Sequence, residues 1–445
     1  MFKTALLPLI IALIGGSRQA QACGRHPRWD RRGESKLSSR QATDESSAAN
    51  STDPSYECLW YSYQPVLDIK GNYPAQYTIA IIQANDTEAQ SVFATINATL
   101  NSKLPNDVPH GSPTTGPVGV SYSPTDPDCW WSYNLCTTPD SSTGLPADIT
   151  ILPEPMTWGL AFDDGPNCSH NALYDYLQEQ ELTATLFYIG SYMFDWPLQA
   201  LRGITDGHEI CVHTWSHKYM TALSNEEAFA ELWYSRKAIK DLLGVTTQCW
   251  RPPYGDVDNR IRTIAQALNL TTIIWYYDTF DWEEGTNGVT SATVDSNYQG
   301  IIDRASNGTF ATHGPIVLNH ELNNFTMSEF IKYAPAIKSA LRAVVPFATA
   351  LNIPQPYADS DITFPTFADR NSKSSTTTNG TTGSGSGAVD GSASPSGSSV
   401  SGQASTAAQS GTKAKSAASP LRDRAGYGVL EMLLVITLLI IGTWG

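Results

Sequence analysis

The sequence has few basic residues compared with its acidic residues, and charged residues of either sign form a small fraction of the chain. Lys and Arg total 28 against 43 Asp and Glu, which gives a formal net charge of -15 over 445 residues. This deficit argues against a duplex nucleic-acid binder, which needs a basic face. Charged residues make up 16%, whereas hydrophobic residues make up 41% and aromatic residues 10%. Such a composition excludes a wholly disordered chain and a coiled coil.

Two short motifs that define other chemistries are also missing. No Gly-x-Ser-x-Gly sequence occurs, so nothing indicates the serine nucleophile of an α/β-hydrolase. No Cys-x-x-Cys occurs either, which favours disulfides over zinc for the cysteines of the body. Cys129 and Cys136 are close enough to bridge locally, but the sequence does not choose a complete pairing. The cysteines concerned are Cys58, Cys129, Cys136, Cys168, Cys211 and Cys249.

The N-terminal residues have the pattern of a processing signal. Residues 1–22 contain Lys3, a short apolar run and a small-residue end at Ala22, which predicts a secretory signal peptide cleaved after Ala22. The alternative is a buried N-terminal helix, which Pro8 would interrupt.

The C-terminal residues predict a stalk followed by a lipid-attachment signal. Residues 371–418 are dominated by Ser, Thr, Gly and Ala and contain no aromatic residue, so we expect a flexible stalk. Residues 419–445 hold a polar spacer and an apolar tail, the pattern of a GPI-attachment signal that is removed. Ser416 is the predicted attachment residue, with Ser410 as an alternative. A transmembrane helix is the other interpretation, but 432–444 is too short for a ~30 Å hydrocarbon core.

Asn-x-Ser/Thr sequences are frequent, as in glycosylated surface proteins. Together with the terminal signals, they predict passage through the secretory pathway and a cell-surface location, with the membrane reached only through the GPI lipid. Asn167 is set aside because it lies beside the site described below. The other candidates for N-glycosylation are Asn50, Asn85, Asn97, Asn269, Asn307, Asn324 and Asn379.

The chain before the clearest pattern divides into two parts. Residues 23–57 are polar and predict a mobile arm, and residues 58–150 form an N-terminal extension whose fold the sequence does not assign. Trp130 and Trp131 could stack on sugar rings, but covering a core is the favoured role for tryptophans in such a loop.

Strand and helix patterns alternate through the middle of the chain. The predicted strands are 77–82, 160–162, 184–189, 209–212, 271–276 and 316–318. The predicted helices are 87–100, 170–180, 198–205, 225–243, 257–268, 297–306 and 327–344. This alternation predicts an α/β domain over residues 151–350, with a parallel sheet or barrel. In such folds the functional residues lie at the carboxyl ends of the strands.

Acidic and histidine-containing segments follow two of these strands. Asp163 and Asp164 end the first strand of the domain, where one carboxylate could bind a metal and the other accept a proton, although a simple turn is the alternative. His213 and His217 follow the strand 209–212 with the spacing of two imidazoles that reach one metal. Two histidines and one carboxylate form a common hydrolytic zinc set.

Three further segments supply other groups that hydrolysis requires. Arg251 begins a rigid Pro-Pro turn that places Tyr254 to donate its backbone N–H to an oxyanion. Asp281 precedes Trp282, so a carboxylate that can orient a histidine lies beside an apolar wall. The alternative for both segments is an ordinary loop.

The fifth segment carries Leu318 and His320 after the strand 316–318. His320 can protonate a leaving group there. His313 is the competing histidine, and we interpret it as structural.

These five segments, in this order, resemble the motifs of the polysaccharide deacetylase family, which is carbohydrate esterase family 4 with the NodB-homology domain. The resemblance covers about residues 157–345. Ala161 stands where the family usually has threonine, and the N-terminal extension lies outside the resemblance. The resemblance implies a distorted (β/α) barrel of the NodB-homology type with that extension added.

The resemblance also implies a role for each site residue. One divalent metal, zinc with Co²⁺ as an alternative, would be held by Asp164, His213 and His217. The catalytic set would be Asp163 as base for a metal-bound water, Arg251 as its partner, Asp281 as the orienting residue and His320 as acid. The substrate and oxyanion set would be Tyr254, Trp282 and Leu318.

With its GPI signal, the chain is similar to fungal cell-surface chitin deacetylases. The implied reaction is hydrolysis of the N-acetyl groups of N-acetylglucosamine residues in chitin, giving chitosan and acetate, with cell-wall glycans as partners. One alternative is the same chemistry on another acetylated polysaccharide such as acetylxylan or peptidoglycan. The other is a non-catalytic cell-wall glycan-binding protein.

Overall fold

The computed structural model describes residues 42–104 and 107–369. The predicted signal peptide, the stalk and the GPI-attachment signal with Ser416 lie outside these residues, as do Asn379 and the first part of the polar arm. Among the residues described, no helix combines the length and the apolar character that crossing a membrane requires.

The strands are short and are spread from the end of the extension to residue 345. In chain order they are β1 (Ile151–Leu152), β2 (Thr157–Gly159), β3 (Ala161–Gly165), β4 (Thr185–Tyr188), β5 (Glu209–Val212), β6 (Cys249–Trp250), β7 (Thr271–Thr272), β8 (Tyr277–Asp278), β9 (Gly314–Pro315), β10 (Val317–Leu318) and β11 (Ala343–Val345).

The helices include several in the extension and a series that alternates with the strands. In chain order they are α1 (Glu45–Ala49), α2 (Pro54–Glu57), α3 (Gln64–Ile69), α4 (Thr87–Lys103), α5 (Trp131–Asn134), α6 (Asn171–Glu179), α7 (Gly190–Asp195), α8 (Pro197–Thr205), α9 (Asn225–Leu243), α10 (Asn259–Ala267), α11 (Ser291–Ser306), α12 (Asn324–Ala340) and α13 (Phe347–Ala350).

A parallel sheet forms the centre of the fold. Its strand order is β3-β4-β5-β6-β7, β10 pairs in parallel with β8, and a parallel bridge between Asp163 and His320 joins β3 to the chain just after β10. The strands therefore follow the order β8-β10-β3-β4-β5-β6-β7, with their carboxyl ends at one edge. Within the described residues β7 and β8 do not pair with each other. The predicted α/β fold is confirmed, and this break fits a distorted barrel.

Burial explains why these strands lie at the centre. All residues of β4 and β5 are buried, as expected for parallel strands that helices cover on both faces. The longest helix, α9, covers one side and has the predicted bounds. Ser224 caps its first turn in a capping box with Glu227, and Gly244 ends it with a φ of 80°, a conformation that favours glycine.

The predicted strand 77–82 is wrong. The backbone N–H of Ala80 donates to the Glu231 carboxylate at 2.8 Å, and that of Gln83 donates to the Tyr234 hydroxyl at 2.8 Å. Side chains of α9 thus satisfy backbone groups that a neighbouring strand would otherwise take. The predicted helix 87–100 is confirmed as α4, which Asp86 caps.

Three other predicted elements have different lengths. The closing helix ends at Ala340 rather than at 344, because residues 343–345 pair with β2 as strand β11. Helix α11 begins at Ser291, where Thr290 caps it. The strand predicted at 271–276 stops after Thr272, because the next N–H groups donate in turn to carbonyls of different segments.

The extension shares a hydrophobic core with the rest of the described chain. Buried side chains of the extension lie in the same cluster as buried residues of the sheet and of α9. These side chains are Val66, Tyr73, Ala80, Ala89, Ile96 and Leu100. The extension is therefore packed onto the α/β domain.

Three disulfides form among the described cysteines. Cys58 pairs with Cys168, which ties the extension to the turn after β3. The local Cys129–Cys136 bridge is confirmed. The third disulfide is Cys211–Cys249, between β5 and β6.

The sequon asparagines in the described residues lie at or near the surface. Asn97 and Asn167 are partly exposed. The exposed ones are Asn50, Asn85, Asn269, Asn307 and Asn324. This placement leaves room for glycans, and glycosylation itself stays a prediction.

Candidate active site

The first strand of the parallel sheet ends in a buried ion pair. Asp163 accepts a hydrogen bond on Oδ1 from Nη1 of Arg251 at 2.7 Å, and the two side chains are 2% and 0% exposed. Burial lowers the pKa of the guanidinium, and the carboxylate opposes that shift. The Phe187 ring lies 4.3 Å from the guanidinium carbon, so the charge is enclosed by an aromatic face as well as by its partner.

The adjacent aspartate meets the two predicted histidines. Oδ1 of Asp164 lies 3.1 Å from Nε2 of His217 and 3.3 Å from Nε2 of His213. These three are a group in which every potential ligand atom lies within 4.8 Å of the others. The structure thus brings together the three residues that the sequence predicted as metal ligands.

The hydrogen bonds around this group fit a cation at its centre. Nδ1 of His213 lies 2.8 Å from the backbone carbonyl of Arg251, which can only accept, so Nδ1 carries the proton and Nε2 of the neutral ring has a free lone pair. Oδ1 of Asp164 is buried and accepts no well-formed hydrogen bond. The Nε2 lone pair of His213 faces the Asp164 carboxylate oxygen, and a divalent metal between the two atoms would remove their repulsion. Two imidazoles and one carboxylate form a ligand set that suits zinc.

Electrostatics favour an ionised Asp164. Burial alone raises the pKa of this carboxyl, but the charges of nearby imidazoles, His217 foremost and then His320, outweigh that effect and hold the pKa well below its ordinary value. The side chain is therefore a carboxylate, the form that binds a metal.

The backbone around these ligands is unusual. Asp164, Thr214 and His217 all have positive φ angles, of 70°, 64° and 54°. Such angles are uncommon for residues other than glycine and are least expected for a β-branched residue such as Thr214. Conformations of this kind persist where the surrounding structure fixes them, often at functional sites.

The predicted acid lies beside β3, where His320 forms a parallel bridge with Asp163. His320 contacts Asp281 twice, through Nδ1 to Oδ1 at 2.6 Å and through its backbone N–H to Oδ2 at 2.9 Å. Burial lowers the pKa of His320, but the Asp281 carboxylate and the nearby Asp164 and Asp163 raise it to about 10. The imidazole is held in one orientation and in its protonated form.

The remaining predicted residues, Tyr254, Trp282 and Leu318, differ in their exposure. Tyr254 is in the short 3₁₀ turn Pro253–Gly255, is 44% exposed, and stacks on Tyr219 with ring centroids 4.0 Å apart. Trp282 is also 44% exposed, and its indole nitrogen lies 3.4 Å from Asp278. Leu318 is buried at the end of β10.

One functional side chain that the sequence analysis missed is Glu231 of α9. It is fully buried and accepts hydrogen bonds from the loop that carries His213 and His217. The available signal was its position on the apolar stripe of the helix, between Ala228 and Ser235, where an acid is out of place.

A second missed side chain is Asp256, directly after the Tyr254 turn. It is buried and accepts hydrogen bonds from the Trp130 indole at 2.8 Å and from the Thr221 backbone N–H at 2.8 Å. Trp130 is fully buried, which confirms the core role over sugar stacking for this residue. Trp131 packs edge-on against Trp275.

A third missed side chain is Glu321, next to the predicted acid. It is fully buried, accepts a hydrogen bond from Tyr174 at 3.0 Å, and burial raises its pKa well above the ordinary value. A Cβ at Gly165 would lie 1.4 Å from its Oε1, so only glycine fits at this position. The Glu321 carboxyl therefore occupies the space that a side chain at residue 165 would need.

Comparison with known proteins agrees with this arrangement. A family model described as "Polysaccharide deacetylase" matches residues 153–273. Chitin deacetylase 2 of Cryptococcus neoformans var. grubii is 57% identical over 368 residues, which are 82% of this chain and 81% of that protein. Chitin deacetylase 2 of C. neoformans var. neoformans is 64% identical over 328 residues, 74% of this chain and 72% of that one.

A more distant relative and a solved structure were also found. The chitin deacetylase of Amylomyces rouxii is 44% identical over 312 residues, 69% of this chain and 73% of that protein. The structure of the Colletotrichum lindemuthianum chitin deacetylase matches with 23% identity and a TM-score of 0.44, over 48% of this chain and 96% of that chain. From its long, high-identity matches to the Cryptococcus and Amylomyces proteins, the chain belongs to the polysaccharide deacetylase family.

Proposed function

We propose that this protein is a chitin deacetylase, which hydrolyses the N-acetyl groups of N-acetylglucosamine residues in chitin to give chitosan and acetate. The observation that carries the proposal is the convergence of Asp164, His213 and His217 beside the buried Asp163–Arg251 pair. The names of the relatives that are 57% and 64% identical support chitin as the substrate.

We propose zinc for the three-residue group. When bound there, a divalent cation supplies Lewis-acid polarisation of the substrate carbonyl and makes water more acidic. Asp164 and the two imidazoles fill three positions, which leaves room for water and substrate in a catalytic zinc site.

Asp163 acts as the base. Its Oδ1 is held by Arg251 at 2.7 Å, while Oδ2 faces the metal group, 3.9 Å from Nε2 of His213. The free oxygen can therefore take a proton from an attacking water. Arg251 stabilises the charged form of a carboxylate that would otherwise be buried without a counter-charge.

His320 acts as the acid. Amide hydrolysis has to protonate the departing nitrogen, because an amide anion is too basic to leave. Asp281 fixes the ring through Nδ1, so Nε2 carries the proton that can be transferred to the nitrogen.

Three further groups complete the proposal. The backbone N–H of Tyr254 follows two prolines in a fixed turn and can donate to the oxyanion. Leu318 and Trp282 provide apolar surface for the acetyl methyl group.

Acetate release tests this function directly. The full chain, treated with a chelator and then reloaded with zinc, should release acetate from chitin oligomers only in the reloaded form. Acetylated xylan and peptidoglycan, assayed beside chitin, should give at least tenfold lower kcat/KM. Acetate released at the parent rate by the chelated protein would contradict the metal site, and a preference for xylan would contradict the substrate.

The cellular location is part of the proposal. We infer that the chain is GPI-anchored at the cell surface, with the anchor at Ser416, because a signal peptide, a stalk and an attachment signal occur together in the sequence. A phosphatidylinositol-specific phospholipase should release the protein from cells. Retention after this treatment would contradict the anchor.

A further inference from the structure

The loop that carries His213 and His217 has a backbone conformation that its own hydrogen bonds alone do not stabilise. Thr214 and His217 lie in the left-handed region, which is unfavourable for residues other than glycine unless the surrounding structure fixes it. Within the loop, the His217 N–H donates to Oγ1 of Thr214 at 3.2 Å. From outside it, the Gly190 and Ser191 N–H groups at the start of α7 donate to the Thr214 and Trp215 carbonyls at 2.8 and 3.1 Å. The loop therefore depends on groups from other parts of the chain.

Glu231 is the main such group. Its Oε2 accepts the backbone N–H groups of Trp215 and Ser216, each at 2.8 Å, and its Oε1 accepts the Ser216 hydroxyl at 2.6 Å. Trp215 and Ser216 are the residues between Thr214 and His217, so the carboxylate binds the middle of the loop through its hydrogen bonds. Hydrogen bonds to a charged acceptor are about twice as strong as neutral ones.

The N-terminal extension supplies the fourth hydrogen bond. The backbone N–H of Ala80 donates to Oε1 of Glu231 at 2.8 Å, and the Ala75 carbonyl accepts the Trp215 indole N–H at 3.1 Å. The Tyr73 ring stacks on Trp215 with centroids 5.7 Å apart. A segment outside the residues that match the family model thus holds the ligand loop from the far side.

We propose that Glu231 and the extension segment 73–80 form a clamp that positions the imidazoles of His213 and His217 for metal binding. Glu231 is a positioning residue, since it acts through the loop and touches neither the metal group nor substrate. The inference rests on the proposed function, because it assumes that the two histidines bind a metal.

The clamp requires a carboxylate. Three of the four partners of Glu231 are backbone N–H groups, which can only donate, and the fourth, the Ser216 hydroxyl, donates to Oε1. Each oxygen of the carboxylate thus accepts from at least one backbone N–H. In Glu231→Gln one oxygen becomes an NH₂ group, which faces donors and loses the bonds on that side. The side chain has nearly the same size, so the substitution changes hydrogen bonding with little change in packing.

Glu209 offers a matched control. It is also a buried carboxylate, and it accepts hydrogen bonds from the Thr185 hydroxyl at 2.6 Å and from the Ala348 backbone N–H at 2.9 Å. Glu209 lies at the start of β5, whereas His213 follows the end of that strand. Glu209→Gln therefore removes a buried carboxylate without touching the ligand loop.

The test measures zinc affinity of the full chain by chelator competition, with the visible spectrum of the Co²⁺ form and the thermal midpoint recorded for each variant. Glu231→Gln should bind zinc at least tenfold more weakly, within the range known for groups that orient metal ligands, and should alter the Co²⁺ spectrum. Glu209→Gln should lower the thermal midpoint and keep zinc affinity within about twofold of the parent.

Ser216→Ala keeps the inference testable if Glu231→Gln fails to fold. It removes one hydrogen bond to Oε1 and should weaken zinc binding about threefold. Parent affinity in whichever of these two variants folds, or an equal loss in Glu209→Gln, would overturn the clamp. A parent protein that binds no zinc would overturn the metal site and the clamp together, whereas parent-like affinity in Glu231→Gln would overturn the clamp alone.

Discussion

His213 and Arg251 are joined by a hydrogen bond from the imidazole Nδ1 to the backbone carbonyl, 2.8 Å long. The guanidinium of the same arginine holds Asp163 at 2.7 Å. Arg251, the residue that follows β6, thus orients a proposed metal ligand through its main chain and the proposed base through its side chain. The two functions can be separated by mutation, because a substitution removes only the side chain.

Arg251→Gln should reduce turnover and keep the metal. The variant retains the carbonyl that orients His213 but leaves the Asp163 carboxylate buried without its counter-charge, which is costly. We expect kcat for acetate release to fall about 100-fold, the scale of a lost general base. Zinc content, measured by elemental analysis, should stay at the parent level.

Loss of zinc from the Arg251→Gln protein would show that the guanidinium supports the metal group as well. Full activity would remove Arg251 from the proposed mechanism. Arg236, a partly buried arginine of α9 outside the site, provides the control as Arg236→Gln, which should leave turnover unchanged.

The sequence predicted which candidate site residues lie together better than it predicted the bounds of the surrounding elements. The five segments follow strands, and a parallel sheet brings strand ends to one edge, so Asp163, Asp164 and His213 could be placed near each other from the order of motifs alone. The start of α9 followed from Ser224, which acts locally, and the structure adds Gly244 as the residue that ends the helix.

Features that depend on tertiary contacts were not predictable in this way. Residues 77–82 have a strand-like pattern but satisfy their N–H groups on α9. Strand β11 exists only because β2 lies beside it. Glu231 has no motif of its own, and its role appears only when the loop after β5 lies against α9.

Asp281→Asn should move the alkaline limit of activity to lower pH. The Asp281 carboxylate raises the pKa of His320, and the acid is competent only below that pKa. Without the carboxylate the pKa falls, so His320 loses its proton at a lower pH. We expect the alkaline limb of the pH profile of kcat/KM to shift down by about one unit or more.

The exposed Glu284 lies close in sequence and serves as the control. Glu284→Gln should keep the parent profile. An unchanged alkaline limb in Asp281→Asn would show that another group sets this limit.

Glu57→Gln should change how stability depends on pH. Burial raises the pKa of Glu57 from 4.5 to about 7, and its carboxyl accepts the Asn171 backbone N–H. Between these two values the folded state holds a proton that the unfolded chain has released, so this group's contribution to stability is present below pH 4.5 and is lost as the pH rises through 7. The thermal midpoint of the parent relative to Glu57→Gln should therefore fall from pH 4.5 to pH 8.

The comparison needs an exposed glutamate, and Glu226 at the start of α9 is suitable. Glu226→Gln should show a constant difference from the parent across this range. A constant difference for Glu57→Gln as well would contradict the raised pKa.

Removal of the Cys58–Cys168 disulfide should destabilise the protein more than removal of Cys129–Cys136. The first closes a loop with a sequence separation of 110 and the second one of 7. The chain-entropy relation gives about 5 kcal/mol for the first and about 2.5 kcal/mol for the second. Denaturant unfolding of the two double Cys→Ser variants measures both, and an equal or reversed order would show that the extension is held mainly by its packing.

Anomalous diffraction at the zinc absorption edge tests the central claim most directly. Crystals of the zinc-loaded protein should show one strong peak about 2.0–2.2 Å from a carboxylate oxygen of Asp164 and from Nε2 of His213 and of His217. The peak should be absent from crystals of His217→Ala prepared in the same way. A zinc-loaded crystal with no peak among these three side chains, or with its peak elsewhere, would contradict the account.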